Sequence, residues 1–274
     1  MARRLRILTP LRRRRTDLQA KRIRRGVYLV PSMFTMANMF CGYACIVYAM
    51  RGEFATAAPF IGFAVVLDML DGRVARMTGS TSEFGVQFDS LADVISFGVA
   101  PAILAFVWGL QPLNRVGWAV GFLFVAAAAV RLARFNIQAA MQDKRYFVGL
   151  PSPAAAGIPA STVFAFPDGF NSTAHAVAVL LVVIVPSLLM VSTIRFRSFK
   201  TIDLQSRRSY PVLLLLALGI VLVAAQPEYT LLALAYTYMA SGIVGLAWTR
   251  LHRRPDAIDM REETTSHPGD KKAL

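Results

Sequence analysis

The chain has 274 residues, 55% hydrophobic and only 17% charged, with a mean hydropathy of +0.49; a soluble domain is about 45–50% apolar and about 25% charged, so lipid is its better solvent. Thirty Lys and Arg against 16 Asp and Glu still give a formal net charge of +14, so the apolar and basic characters must occupy different places. Hydrophobicity excludes a disordered chain, two Cys exclude a disulfide scaffold, and the apolar bulk excludes a plain nucleic-acid-binding domain.

Residues 1–27 carry 11 Lys and Arg. They read as a basic cytosolic arm against anionic lipid headgroups, each cation contributing ~1 kcal/mol near the surface. The alternative is that these charges only set topology. A cleaved signal peptide is disfavoured by the long apolar run that follows and by the lack of Ser, while a mitochondrial transit peptide is a further reading, since Asp17 is the only acid in the arm. Eight apolar runs then follow, at roughly 28–50, 54–77, 85–110, 115–139, 151–167, 173–193, 209–225 and 229–249. A span needs about 20 mainly apolar residues; the fifth run is the shortest and contains Pro151, Pro153 and Pro159.

Charge tests that count. All cations except Arg51 and Arg115 can be placed on one side of an eight-span arrangement. The positive-inside rule then makes both termini cytosolic and the number of spans even. The expected fold is an all-α polytopic membrane bundle of about eight transmembrane helices. It comprises the arm 1–27, a membrane domain 28–250 and a polar cytosolic tail 251–274, with no internal repeat and no second domain.

The informative stretch runs from Asp68-Met-Leu-Asp71-Gly72-Arg73-Val-Ala75-Arg76 to Gly85-Val-Gln-Phe-Asp89-Ser-Leu-Ala-Asp93. An Asp at a helix centre costs ~2.5–3.5 kcal/mol on insertion scales, so four unpaired would cost roughly 10–14 kcal/mol. Positions toward the cytosolic ends reduce that cost, and cations must supply the rest. Asp68 and Asp71 are i, i+3, while Asp89 and Asp93 are i, i+4, so each helix presents two acids on one stripe. The short link between the helices makes them antiparallel neighbours, with the stripes facing as a four-carboxylate cluster. An all-oxygen site suits Mg2+ or Mn2+, not zinc; the three His are scattered and form no ligand set. Gly72, Ala75 and Gly85 allow close backbone approach, and Arg73 and Arg76 are available for phosphate. Two other readings use the same acids: a buried ion-pair network with Arg73 and Arg76, and an ion or proton pathway, although transporter sites usually lie nearer the midplane.

At these residues the chain resembles the CDP-alcohol phosphatidyltransferase family, whose signature D-x2-D-G-x2-A-R-x8-G-x3-D-x3-D is met at every position. Flanking segments are similar to its serine-using, integral-membrane bacterial branch. They are Pro31 to Gly42, Ser96 to Pro101, Arg131 to Asn136, Phe147 to Pro153 and Leu189 to Lys200. The resemblance covers about residues 28–200 and implies a six-helix core, leaving the last two spans additional. It implies an enzyme of phospholipid biosynthesis that transfers the phosphatidyl group of CDP-diacylglycerol to L-serine, with CMP leaving. Glycerol 3-phosphate, inositol phosphate or choline are the alternative acceptors.

The resemblance further implies two divalent ions, with Asp68, Asp71, Asp89 and Asp93 as ligands and Asp93 as the general base. Gly72, Ala75, Arg76, Ser82 and Gly85 are the matched positions for CDP-diacylglycerol. For serine, Arg131 or Arg134 is expected to meet the carboxylate, although both also serve as snorkelling anchors. No nucleic-acid partner is implied, a homodimer is admitted, and the expected location is a bacterial inner or plasma membrane.

Three expectations concern packing. Cys41 and Cys45 share a helix face and read as packing residues, while Asn38 either bonds a neighbouring helix or faces the site. Residues 151–161, rich in Ala and Gly, read as a tightly packed, kinked helix. Trp108 and Trp118 suit an interfacial belt.

Overall fold

A computed structural model describes residues 32–78, 82–140, 147–168, 173–192, 195–196 and 209–251. The basic arm and almost all of the polar tail therefore lie outside the described residues, as do Lys144, Arg145 and Arg207. The described residues form eight helices, matching the eight apolar runs: α1 (Ser32–Met50), α2 (Phe54–Thr78), α3 (Glu83–Leu113), α4 (Arg115–Ala140), α5 (Ser152–Ala165), α6 (Thr173–Val191), α7 (Ser209–Ala225) and α8 (Pro227–Leu251). A pair of two-residue antiparallel strands, β1 (Phe147–Val148) and β2 (Arg195–Phe196), is the one departure from an all-helical chain among the described residues.

By length and hydropathy α1 to α4 can each cross a bilayer. Their outer faces carry Phe63, Phe122 and Leu123, and that of α6 carries Leu188, all exposed. Large unpartnered apolar side chains in this number are stable against lipid tails and not against water, so the chain is an integral membrane protein.

The interior is built from small residues and a few large ones. Phe97, Phe124, Ile61, Leu104 and Val183 are fully or almost fully buried. The shortest helix, α5, lies at the centre, with Ala155, Ala156, Pro159 and Ala160 among its many buried positions. It packs against α2, α3, α6 and α8. Its Ala-rich faces let these neighbours approach closely, as the composition of 151–161 predicts. At 14 residues it is about 21 Å long, short of the roughly 30 Å hydrocarbon core.

Helix α3 is interrupted by two π turns, Ile95–Val99 and Phe106–Leu110. The first begins two residues after Asp93. A π turn inserts one residue into the helical repeat and re-aims the side chains on either side. Beside it Gly42 of α1 meets α3 so closely that a Cβ would lie 2.8 Å from Ser96 Cα.

Trp108 corrects the expected interfacial belt. It is 5% exposed, and its Nε1 donates to the Phe166 carbonyl at 2.9 Å, so it pins α3 to the end of α5. Trp118, 72% exposed, remains on the outside. Cys41 and Cys45 are buried free thiols, in keeping with a packing role.

Candidate active site

The acids come together at the C-terminal end of α2 and the N-terminal half of α3. Asp68, Asp89 and Asp93 each offer a carboxylate oxygen, and the three oxygens lie within 4.8 Å of one another. Asp71 is not part of that converging trio but lies within electrostatic range of Asp68 and Asp89. It is 6% exposed, and its Oδ2 accepts a hydrogen bond from Thr35 Oγ1 of α1. The four acids are thus three converging groups with Asp71 held beside them by Thr35, a subdivision that spacing alone does not predict.

Helix α1 supplies a second contact three residues on, where Asn38 Nδ2 donates to Asp93 Oδ1 at 3.2 Å. Both expectations for Asn38 hold, since it bonds a neighbouring helix and does so at the acidic cluster. Thr35 was legible in principle as a second polar residue at i, i+3 on an apolar helix, but sequence reasoning passed over it.

Arg73 and Arg76 are exposed, so they are not threaded between the acids as a buried ion-pair stitch would require. The Arg76 guanidinium folds back over Gly72, where a Cβ would lie 3.4 Å from Nη1. Gly72 and Ala75 lie half-buried on the same stretch of α2. Ser82 is the N-cap of α3, and its Oγ accepts from the Gly85 amide at 3.0 Å. A Cβ on Gly85 would sit 3.1 Å from that hydroxyl. Ser82 and Gly85 therefore form a helix-capping unit at the mouth of the acidic region.

The two arginines considered for the acceptor separate. Arg131 Nη1 donates to Ser152 Oγ at 2.8 Å, and its charge lies within electrostatic range of Asp93 and Asp68. Its Nε is buried without a hydrogen-bond partner. Arg134 Nη1 instead donates at 3.2 Å to the carbonyl of Val191, the last residue of α6, where a cation offsets the negative end of a helix. Asn136 Nδ2 donates to Ser90 Oγ at 2.9 Å, tying α4 to α3.

Two of the flanking segments meet each other. Gly149, at φ +88°, passes so close to α6 that a Cβ would be 2.4 Å from the Met190 carbonyl oxygen. The next amide, Leu150, donates to the Leu189 carbonyl at 3.0 Å. The β1–β2 pair continues the contact, with Val148 opposite Arg195. The loop before α5 and the segment after α6 thereby close one end of the bundle.

The donor set is chemically suited to a hard divalent cation. It is all oxygen, and Asp89 Oδ1 is buried with no hydrogen-bond partner, an acceptor that a cation would satisfy.

Fold and site thus define a helical integral-membrane protein with a carboxylate cluster set between its first three helices. Residues 28–185 match the family model described as CDP-alcohol phosphatidyltransferase, and the chain belongs to that family. It is 38% identical over 223 residues to a CDP-diacylglycerol--serine O-phosphatidyltransferase of Helicobacter pylori, covering 80% of this chain and 91% of the relative. A protein of the same name from Mycobacterium leprae is 31% identical over 87% of this chain and 82% of its own length. The archaetidylserine synthase of Methanothermobacter thermautotrophicus is 37% identical over 61% of this chain and 69% of the relative.

Proposed function

We propose that the chain transfers the phosphatidyl group of CDP-diacylglycerol to the hydroxyl of L-serine, giving phosphatidylserine and CMP. The observation that carries this reading is the match to a Helicobacter pylori protein named for that reaction over 91% of its length. The acidic cluster, placed between helices that all fall in the family region, supports it. An ion pathway through the same acids is set aside by the family membership.

In this reading Asp68, Asp71 and Asp89 would hold Mg2+ or Mn2+, and Asp93, which also converges there, would serve chiefly as general base. When bound, the cations neutralise the pyrophosphate and the charge developing on departing CMP. The chain's own residues do the rest. Asp93 takes the proton of the serine hydroxyl as its oxygen bonds to the phosphorus that carries diacylglycerol. The bond from that phosphorus to the CMP oxygen breaks in the same displacement. Arg76, exposed beside Gly72, contributes a charge-assisted contact to the nucleotide phosphates, and the Gly72 and Ala75 stretch gives it a close approach. Ser82 keeps α3 capped at Gly85, which fixes where Asp89 and Asp93 begin.

Arg131 is the residue assigned to the serine carboxylate. Its tie to Ser152 and its reach toward Asp93 favour it over Arg134, which caps α6. Eight spans with both termini in the cytosol are part of this reading; they would put Arg51, just after α1, and Arg115, the first residue of α4, on the side away from the acids. A bacterial inner or plasma membrane, contact of the basic arm with anionic lipid and a homodimer complete the proposal.

The test is lipid product analysis with purified protein, CDP-diacylglycerol, Mg2+ or Mn2+ and one alcohol at a time. Serine is expected to give phosphatidylserine. Product with glycerol 3-phosphate, inositol phosphate or choline and none with serine would overturn the acceptor assignment.

A further inference from the structure

Asn38 is fully buried in the first membrane helix, where an amide side chain has no solvent to satisfy it. Its Nδ2 reaches Asp93 Oδ1 at 3.2 Å, while its own Oδ1 has no hydrogen-bond partner. A buried carbonyl left unsatisfied is a cost to folding, so the amide is not placed here to complete its own hydrogen bonding. What the amide does accomplish is to hold one oxygen of Asp93.

The surroundings make that hold rigid. The backbone carbonyl of Asn38 accepts from Ser96 Oγ at 2.9 Å, and Gly42, one turn later, presses against Ser96. Ser96 lies in the π turn that begins two residues after Asp93. The backbone of α1 is therefore fixed to the segment of α3 that carries the acid, and the Asn38 amide is fixed to the acid itself. A carboxylate bonded at one oxygen has its plane set and presents the other oxygen in a defined direction.

We propose that Asn38 is a positioning residue for the transfer reaction: by engaging Oδ1 of Asp93 it leaves Oδ2 aimed at the acceptor hydroxyl. It acts through Asp93 and carries no proton. The proposal rests on the reading of Asp93 as general base. A misplacement of about 1 Å in a reacting group costs as much as 100-fold, so loss of the amide falls on turnover and leaves substrate binding alone.

The experiment compares the purified full-length protein with Asn38→Leu, and with Asn38→Ser should the leucine variant not fold. Measured are kcat, KM for CDP-diacylglycerol, KM for serine, and the thermal midpoint in detergent. The expected result is a fall in kcat of about tenfold or more, both KM values within twofold, and a cooperative thermal transition showing that the variant is folded at the assay temperature. A kcat within twofold of the parent overturns the proposal. A loss of kcat accompanied by a matching rise in the KM for CDP-diacylglycerol, or by loss of the folded state at the assay temperature in both variants, overturns it as well, because Asn38 is then structural. Full turnover by Asp93→Asn would instead sink the base assignment, an outcome distinct from either result at Asn38.

Discussion

The guanidinium of Arg131 reaches from α4 to the first residue of α5, where Nη1 donates to Ser152 Oγ at 2.8 Å. That bond orients a cation toward the acidic cluster while its Nε remains without a partner. Three residues on, Arg134 points to the end of α6. Two arginines that look equivalent in sequence therefore serve different ends. Arg131→Lys keeps the charge but loses the planar fork, and is expected to raise the serine KM by about tenfold while the CDP-diacylglycerol KM stays within twofold; steady-state kinetics with each substrate varied in turn checks this. Arg134→Ala should leave the serine KM unchanged and reduce stability by the ~0.3–1 kcal/mol typical of a cation at a helix C-terminus, read as a lowered thermal midpoint.

The carboxylates should divide by role. Asp68→Asn and Asp89→Asn each remove a charge from the converging trio, and both are expected to weaken Mn2+ and CDP-diacylglycerol binding together. Asp93→Asn should retain CDP-diacylglycerol binding and lose about 100-fold or more in kcat, the lower range for a general base. Calorimetric titration of metal and nucleotide alongside kcat separates the two patterns; equal binding loss in all three variants would contradict the division.

Thr35→Val tests the role of Asp71. The substitution nearly preserves shape and removes the hydroxyl that donates to Asp71 Oδ2. Outer-shell partners of metal ligands typically contribute 10–100-fold to affinity or activity. A drop of about tenfold in Mn2+ affinity, read by metal titration, is the expected outcome.

Gly149→Ala addresses the closure of the bundle rather than its chemistry. At φ +88° an L-residue is strained, and its Cβ would meet the Met190 carbonyl oxygen at 2.4 Å. Strain of this kind costs on the order of 1–3 kcal/mol before the clash is counted. The variant should show a clearly lowered thermal midpoint, and the Leu150 amide should exchange faster in hydrogen-exchange measurements, since its bond to the Leu189 carbonyl depends on the same approach.

Much of this was legible before any coordinates. Helical periodicity placed Asp68 with Asp71 and Asp89 with Asp93, and apolar run length placed all eight helices within a few residues. Small side chains marked α5 as tightly packed. What remained hidden depends on partners distant in sequence. Nothing local distinguishes Asp71 from Asp68; Thr35, 36 positions away, does so. Arg131 and Arg134 differ only in which helix end each can reach. Trp108 reads as a lipid-interface residue until the Phe166 carbonyl is found beside it. The π turn after Asp93 has no composition signature, yet it carries the Ser96 hydroxyl that bonds the Asn38 backbone carbonyl of α1. Spacing reports which residues share a face, whereas the face that meets it is a property of the packed bundle.

The central claim is that the acidic cluster drives transfer from CDP-diacylglycerol to serine. CMP release by the purified protein, measured with and without L-serine in the presence of Mg2+ or Mn2+ and again after chelation, tests it most directly. Release that requires both serine and the divalent ion, and that is lost in Asp93→Asn, is the predicted result. CMP release indifferent to serine, or undiminished after chelation, would contradict it.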